Sequence, residues 1–218
     1  MIIDIVSDAI CPWCYIGKRR LEKALAMAPQ SDLQIGWRPF QLNPDMPADG
    51  MDRKEYLRLK FGDSAGGNRY QAVEDAGRGE GIPFAFDRIK RTPNTILAHR
   101  LIRFAQREGR QEEAVETLFR AYFTEGANIG EIETLTGLAP AMSLDQDRVR
   151  AFLQSDEDEA AIRAEDKFAR QIGIQGVPCF IIDRKFAVSG AQPPETFLEI
   201  FELAKKEAAS AEAGADII

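Results

Sequence analysis

Two cysteines stand three positions apart, Cys11 and Cys14, with Pro12 and Trp13 between them. A thiol attacks a disulfide only in its anionic form. A sulfur in the first turn of a helix faces unpaired backbone N–H groups and the positive end of the helix dipole. Both favour the anion and make the sulfur a better leaving group. Cys14, one turn on and further inward, can then attack a mixed disulfide on Cys11 and release the product. Pro12 suits this place because its missing N–H costs nothing at a helix start, and Trp13 adds an apolar face. The other use of Cys-x-x-Cys is half of a zinc site, for which Cys11, Cys14, Cys179 and His99 would be the four ligands. The chain has one histidine, three cysteines and no second Cys-x-x-Cys. A strand, then Cys-x-x-Cys, then a helix favours redox exchange, so no metal site is expected.

A second signal lies over a hundred residues later, in Gly176-Val177-Pro178-Cys179-Phe180, where a proline enters a strand. A cis Val177–Pro178 bond facing the dithiol would leave the backbone of Val177 free to pair with an extended substrate chain. Asp8, three residues before Cys11, could relay a proton to Cys14; a plain polar residue at a strand end is the competing reading. Cys179 reads as a small buried hydrophobe more readily than as a third redox thiol. His99 reads as a helix-surface or interdomain histidine, and Trp37, Phe40 and Phe123 as core. Phe84-Ala85-Phe86 is a candidate lining of a groove.

These residues need elements to position them. Ile2 to Ser7 is apolar and rich in β-branched residues, a short buried strand. Tyr15 to Ala28 has helical spacing and ends before Pro29. Leu33 to Arg38 alternates as a second strand. Together they form a β-α-β unit with a parallel pair and a right-handed crossover. From Arg53 to about Gln171 the pattern is helical, with helices over 53–61, 67–79, 95–108, 110–124, 132–139, 145–153 and 158–172. Asn94 and Asp145 serve as caps, and Gly109 and Gly173 as stops. The stretch Asp156 to Glu159 reads as a solvated helix start. Phe180-Ile181-Ile182 and Phe186-Ala187-Val188 flank Asp183-Arg184-Lys185, a hairpin without glycine at its turn. A last helix runs from Thr196 to about Ala208, and the chain beyond it frays. The expected fold class is α/β, with an all-helical domain over 49–156 inserted after the first β-α-β unit into a discontinuous domain over 1–48 and 157–218.

Composition narrows the setting. With 218 residues, 44% hydrophobic and 29% charged, the chain can bury a sizeable core without staples. A formal net charge of −7 argues against a nucleic-acid partner. No apolar run approaches the roughly 20 residues a membrane span needs. No charged leader precedes the first strand, so the expected location is cytoplasmic. In a reducing compartment a close pair of cysteines is more often catalytic or metal-binding than structural.

The segment Asp8-Ala9-Ile10-Cys11-Pro12-Trp13-Cys14-Tyr15-Ile16-Gly17-Lys18 resembles the active-site segment of DsbA-family oxidoreductases, particularly the FrnE-like branch. Gly176-Val177-Pro178 resembles that family's cis-proline loop, and Val188 to Pro193 its following segment. Pro93-Asn94-Thr95 through Ala98-His99-Arg100, and Leu118 to Phe123, resemble its helical insertion. The resemblance spans nearly the whole chain. It implies a thioredoxin fold with a helical insertion, a cis bond at Pro178 and dithiol–disulfide exchange with no cofactor. Its implied partners are client proteins or small disulfides, with glutathione as a co-substrate. It also implies that the insertion faces the active site, where Asn94 and His99 could contact substrate or Cys11. Three departures stand out. The pair lacks the histidine that strongly oxidising periplasmic relatives carry between their cysteines, so weaker oxidation is expected. Cys179 after the proline is unusual for the branch. The buried acid that thioredoxin keeps six residues before its first cysteine is Ile5 here, with Asp4 and Asp8 nearby. Related 2-hydroxychromene-2-carboxylate isomerases and kappa-class glutathione transferases carry Ser where Cys11 stands and use the thiol of glutathione. A glutathione-dependent isomerase or transferase is therefore the alternative function.

Overall fold

The computed structural model describes residues 1–62 and 70–215. Its centre is a four-stranded sheet in the order β2-β1-β5-β6, from β1 (Ile2–Ser7), β2 (Gln34–Pro39), β5 (Cys179–Ile182) and β6 (Phe186–Ser189). β1 runs parallel to β2 and antiparallel to β5, and β5 runs antiparallel to β6. Between β1 and β2 lies α1 (Pro12–Met27), which packs on the closing helix α9 (Pro194–Ala215). This is the thioredoxin fold with a helical insertion. Strand alternation sorts the side chains. Ile3, Ile5 and Phe180 join α1 and α9 in the main core, whereas Val6 and Cys179 pack with Phe40 and Ala169 on the opposite face. Phe180 meets Phe197 edge to face at 4.8 Å. Each fully buried phenylalanine contributes about 1.5–3 kcal/mol.

The insertion begins with a two-residue ribbon, β3 (Met51–Asp52) against β4 (Arg91–Thr92). Such a ribbon is too short to leave a periodic pattern, and no strand was expected there. Its helices are α2 (Arg53–Phe61), α3 (Gln71–Gly79), α4 (Ile96–Arg107), α5 (Gln111–Arg120), α6 (Ile132–Leu138) and α7 (Gln146–Gln154). α8 (Glu159–Gln171) leads back to the sheet. The expected start of α3 at Gly67 lies outside the described residues. The helix expected to reach residue 124 turns π-helical over Ala121–Glu125, a wide turn that buries both Tyr122 and Phe123. Phe84 and Phe86 stack on each other at 4.9 Å, and Phe84 also meets Tyr15 and Phe123, so they serve the core. α9 runs to Ala215, past the expected end near Ala208.

Buried polar contacts hold the insertion to the sheet. The Gln111 carboxamide pairs with both backbone groups of Trp37, each at 3.1 Å, where a further strand would otherwise sit on the β2 edge. The Trp37 indole donates to Glu112 at 2.8 Å. The Lys18 ammonium, buried on α1, lies 2.7 Å from Glu112 and 3.0 Å from Glu116. Burial opposes its charge, but Glu112, Glu22 and Glu116 outweigh that and raise its pKa. The Arg100 guanidinium closes the end of α7, donating to the carbonyls of Phe152, Leu153, Ser155 and Glu157 at 2.7–3.3 Å. In the β5–β6 turn, Asp183 and Arg184 take φ of 49° and 58°, the mirror-image geometry a tight hairpin requires. Two backbone-side bonds to Ile2 compensate for the missing glycine: Ile2 N donates to the Asp183 carboxylate at 2.7 Å, and Asp183 N donates to Ile2 O at 2.8 Å.

Candidate active site

Cys11 occupies the N-cap of α1, with extended backbone (φ −92°, ψ 111°), and Pro12 opens the helix. The Cys14 and Tyr15 amides both donate to its carbonyl, at 3.0 and 3.4 Å. Cys11 and Cys14 are both free thiols. Cys14 is 1% exposed, whereas Trp13 beside it is 37% exposed. The helix start thus turns one neighbour outward and the second sulfur in. Burial pushes the Cys14 thiol well above its ordinary pKa, and the hydrogen-bonded Cys11 sulfur pushes the same way. Ser7 and the Asp8 backbone pull in the other direction. Both sulfurs are buried, Cys11 at 4% exposure, and they differ in place: Cys11 sits at the helix start, and Cys14 lies one turn further in.

The Val177–Pro178 peptide bond is cis, and the Cys11 thiol donates to Val177 O at 3.5 Å. The loop is held on both sides. Gly190 N donates to Pro178 O at 2.8 Å. On the α1 side, Gly17 leaves room for Pro178 and Phe180, whose ring atoms would lie only 3.0 Å from any β-carbon there.

Asp8 is completely buried. One carboxylate oxygen accepts Leu42 N at 2.7 Å. The other makes no hydrogen bond and lies 3.4 Å from His99 Nε2, which is also 3.2 Å from Phe40 O. Thus His99, 4% exposed, faces Asp8. The N-cap of α4 is Thr95 rather than the expected Asn94, which lies one residue earlier, accepts Ile96 N at 3.0 Å and donates its amide to Met46 O at 2.7 Å. Both expected substrate contacts spend these groups inside the protein. Cys179 packs beside Val6, Phe40 and Ala169, on the sheet face opposite Phe180 and α1, and burial raises its pKa. Among the described residues, no three His, Cys, Asp or Glu side chains are grouped to hold a metal ion.

A family model described as the DSBA-like thioredoxin domain matches residues 2–202. The chain belongs to that family. Among solved structures, a probable DsbA oxidoreductase of Streptomyces coelicolor is 34% identical, with a TM-score of 0.85 over 95% of this chain and 91% of that one. The cytosolic disulfide reductase DsbM of Pseudomonas aeruginosa, solved with GSH, shares the fold at 17% identity, with a TM-score of 0.68 over 94% of this chain and 100% of that one. A curated Bacillus subtilis relative, the uncharacterized protein YwbO, is 29% identical over 83% of this chain and 86% of its own. Membership in the DSBA-like family supports a thiol oxidoreductase in general terms, acting on thiol or disulfide substrates. No helix among the described residues is long and apolar enough to cross a membrane.

No sequence motif marks Ser7, yet the strand places it. Its signal was available: Ile3, Ile5 and Ser7 share a strand face by alternation, so Ser7 must point at α1, where Cys14 sits.

Proposed function

We propose that this protein exchanges disulfides through its own dithiol, as a reductase or isomerase. Cys11 attacks the client disulfide and Cys14 resolves the mixed disulfide. One observation carries the reading: a cysteine at a helix N-cap lies 3.5 Å from the carbonyl of a cis-proline loop, with a second thiol one helical turn further in. A client strand pairing with the Val177 backbone would bring its sulfur over Cys11. Attack forms the Cys11–client bond and expels the client's other sulfur as a thiolate. Attack by Cys14 then breaks that bond, and the client leaves reduced while Cys11 and Cys14 become a disulfide. Trp13 offers apolar contact beside the entering chain. Glutathione is the proposed small-molecule reductant that restores the dithiol, consistent with a reducing compartment. GSH accompanies the fold-related DsbM. The test is insulin reduction with dithiothreitol. The wild type should accelerate precipitation, whereas Cys11→Ser should match the uncatalysed rate. Equal rates for both would defeat the proposal.

A further inference from the structure

Resolution by Cys14 has a chemical requirement. Its sulfur is buried and held protonated, so its proton must leave before it can attack. No carboxylate occupies the strand position that serves thioredoxin, because Ile5 stands there in the apolar core. The Asp8 carboxylate points instead at Leu42 N and His99. Strand alternation turns Ser7 toward α1, where Cys14 sits, and Ser7 pulls the Cys14 pKa down.

Ser7 and His99 both line a narrow cavity of about 20 Å³ between the sheet edge and α4, α5 and α8. A cavity of that size holds one water, given polar partners. Its rim carries Arg38, Gln106 and the ion-paired Arg103 and Glu165, which reach solvent. The tautomer of His99 follows from its partners. Nε2 faces a carbonyl and a carboxylate, Phe40 O and Asp8, and neither can donate. Nε2 therefore carries the proton, and Nδ1 is the ring's acceptor. An imidazolium formed there would be stabilised by the Asp8 oxygen that has no hydrogen bond. The buried Tyr122 hydroxyl, which feels the Asp8 charge, has no hydrogen-bond partner and supplies no counter-charge.

We propose that Ser7, one water in this cavity and the His99–Asp8 pair form the path by which Cys14 loses its proton during resolution. This rests on the dithiol reading above. As the Cys14–Cys11 bond forms and the Cys11–client bond breaks, the Cys14 proton passes to Ser7 Oγ. The Ser7 proton passes through the water to His99 Nδ1, and the electron pair leaves on the client sulfur, which is protonated by solvent. Ser7 takes the proton directly from the reacting sulfur and is catalytic in this step. His99 and Asp8 act through it and are positioning residues.

The experiment uses 5,5′-dithiobis(2-nitrobenzoate) on the reduced full-length protein in a Cys179→Ala background. The first thionitrobenzoate released reports attack by Cys11, and the second reports resolution by Cys14. Ser7→Ala and His99→Gln should leave the first release unchanged and slow the second at least about tenfold at pH 7. The deficit should narrow as pH rises and hydroxide replaces the lost acceptor. Ser7→Thr, which keeps a hydroxyl, should restore the rate. Circular dichroism confirms that each variant folds. If the second release keeps its wild-type rate and pH profile in both variants, the path is refuted. So it is if the deficit is the same at every pH or Ser7→Thr fails to restore it. If the wild type itself shows no second release at any pH, the dithiol reading fails instead, and this path with it.

Discussion

Replacing Gly17 by alanine tests how tightly α1 and the cis-proline loop are fitted. A β-carbon there would lie 3.0 Å from Pro178 Cγ and 3.0 Å from Phe180 Cζ. Neither neighbour can easily yield. Phe180 is fully buried against Phe197, and Pro178 is tied through its carbonyl to Gly190. Overpacking of this kind costs about 1–3 kcal/mol. Alanine in a helix interior recovers up to about 1 kcal/mol over glycine, so the net loss should be about 1 kcal/mol. In a chain of this length that lowers Tm by about 2–4 °C. Gly137→Ala on α6 is the internal control, because a β-carbon there meets nothing within 4 Å; it should raise stability by about 0.5–1 kcal/mol. Activity should fall further than stability suggests. The strain is relieved by moving Pro178, which carries the Val177 carbonyl away from Cys11. Misplacement by 1 Å can cost about 100-fold in rate, so a few tenths of an ångström should cost about three- to tenfold. Differential scanning fluorimetry and the insulin assay, run on both variants, provide the comparison. A Gly17→Ala protein as stabilised as Gly137→Ala, with an unchanged rate, would refute the reasoning.

Two further outcomes follow from the buried groups. Cys14 has a folded-state pKa above its unfolded value, chiefly through burial and then through Cys11. Its stabilising contribution is therefore complete below the ordinary thiol value of about 8.5 and is lost as pH rises from there toward the folded pKa. The reduced wild type should lose up to about 1.4 kcal/mol per pH unit more than Cys14→Ala over that window, by urea unfolding at pH 8, 9 and 10; parallel slopes would contradict it. Arg100→Met should destabilise the fold by about 3–5 kcal/mol, because four carbonyls at the end of α7 lose a charged donor together. A urea midpoint within error of wild type would show that water replaces those bonds freely.

The dithiol, its strand and its helix were legible because the signals are local. The cap geometry at Cys11, the Pro12 start and the alternation of β1 all lie within fifteen residues. The bounds of α2 were legible too, and the structure adds its cap, Asp52, which accepts the Lys54 and Glu55 amides. The hairpin turn was legible in place but not in geometry, because the device that spares it a glycine is Asp183 bonding to Ile2 at the far end of the chain. The same distance hid the setting of His99. Its partner Asp8 is 91 positions away in sequence, and nothing local marks a helix histidine as buried against a carboxylate. The face occupied by Cys179 follows from register. Pairing of Val6 with Cys179 puts both on the side away from α1, which only the strand order reveals.

The most direct test of the central claim is a redox titration of the purified protein in glutathione buffers, with the product disulfide mapped by mass spectrometry. The account predicts one reversible two-electron transition joining Cys11 to Cys14, at a potential more reducing than the roughly −120 mV of a strongly oxidising DsbA, with Cys179 unmodified throughout. A pair that stays reduced across the whole range, or a disulfide that includes Cys179, would contradict it.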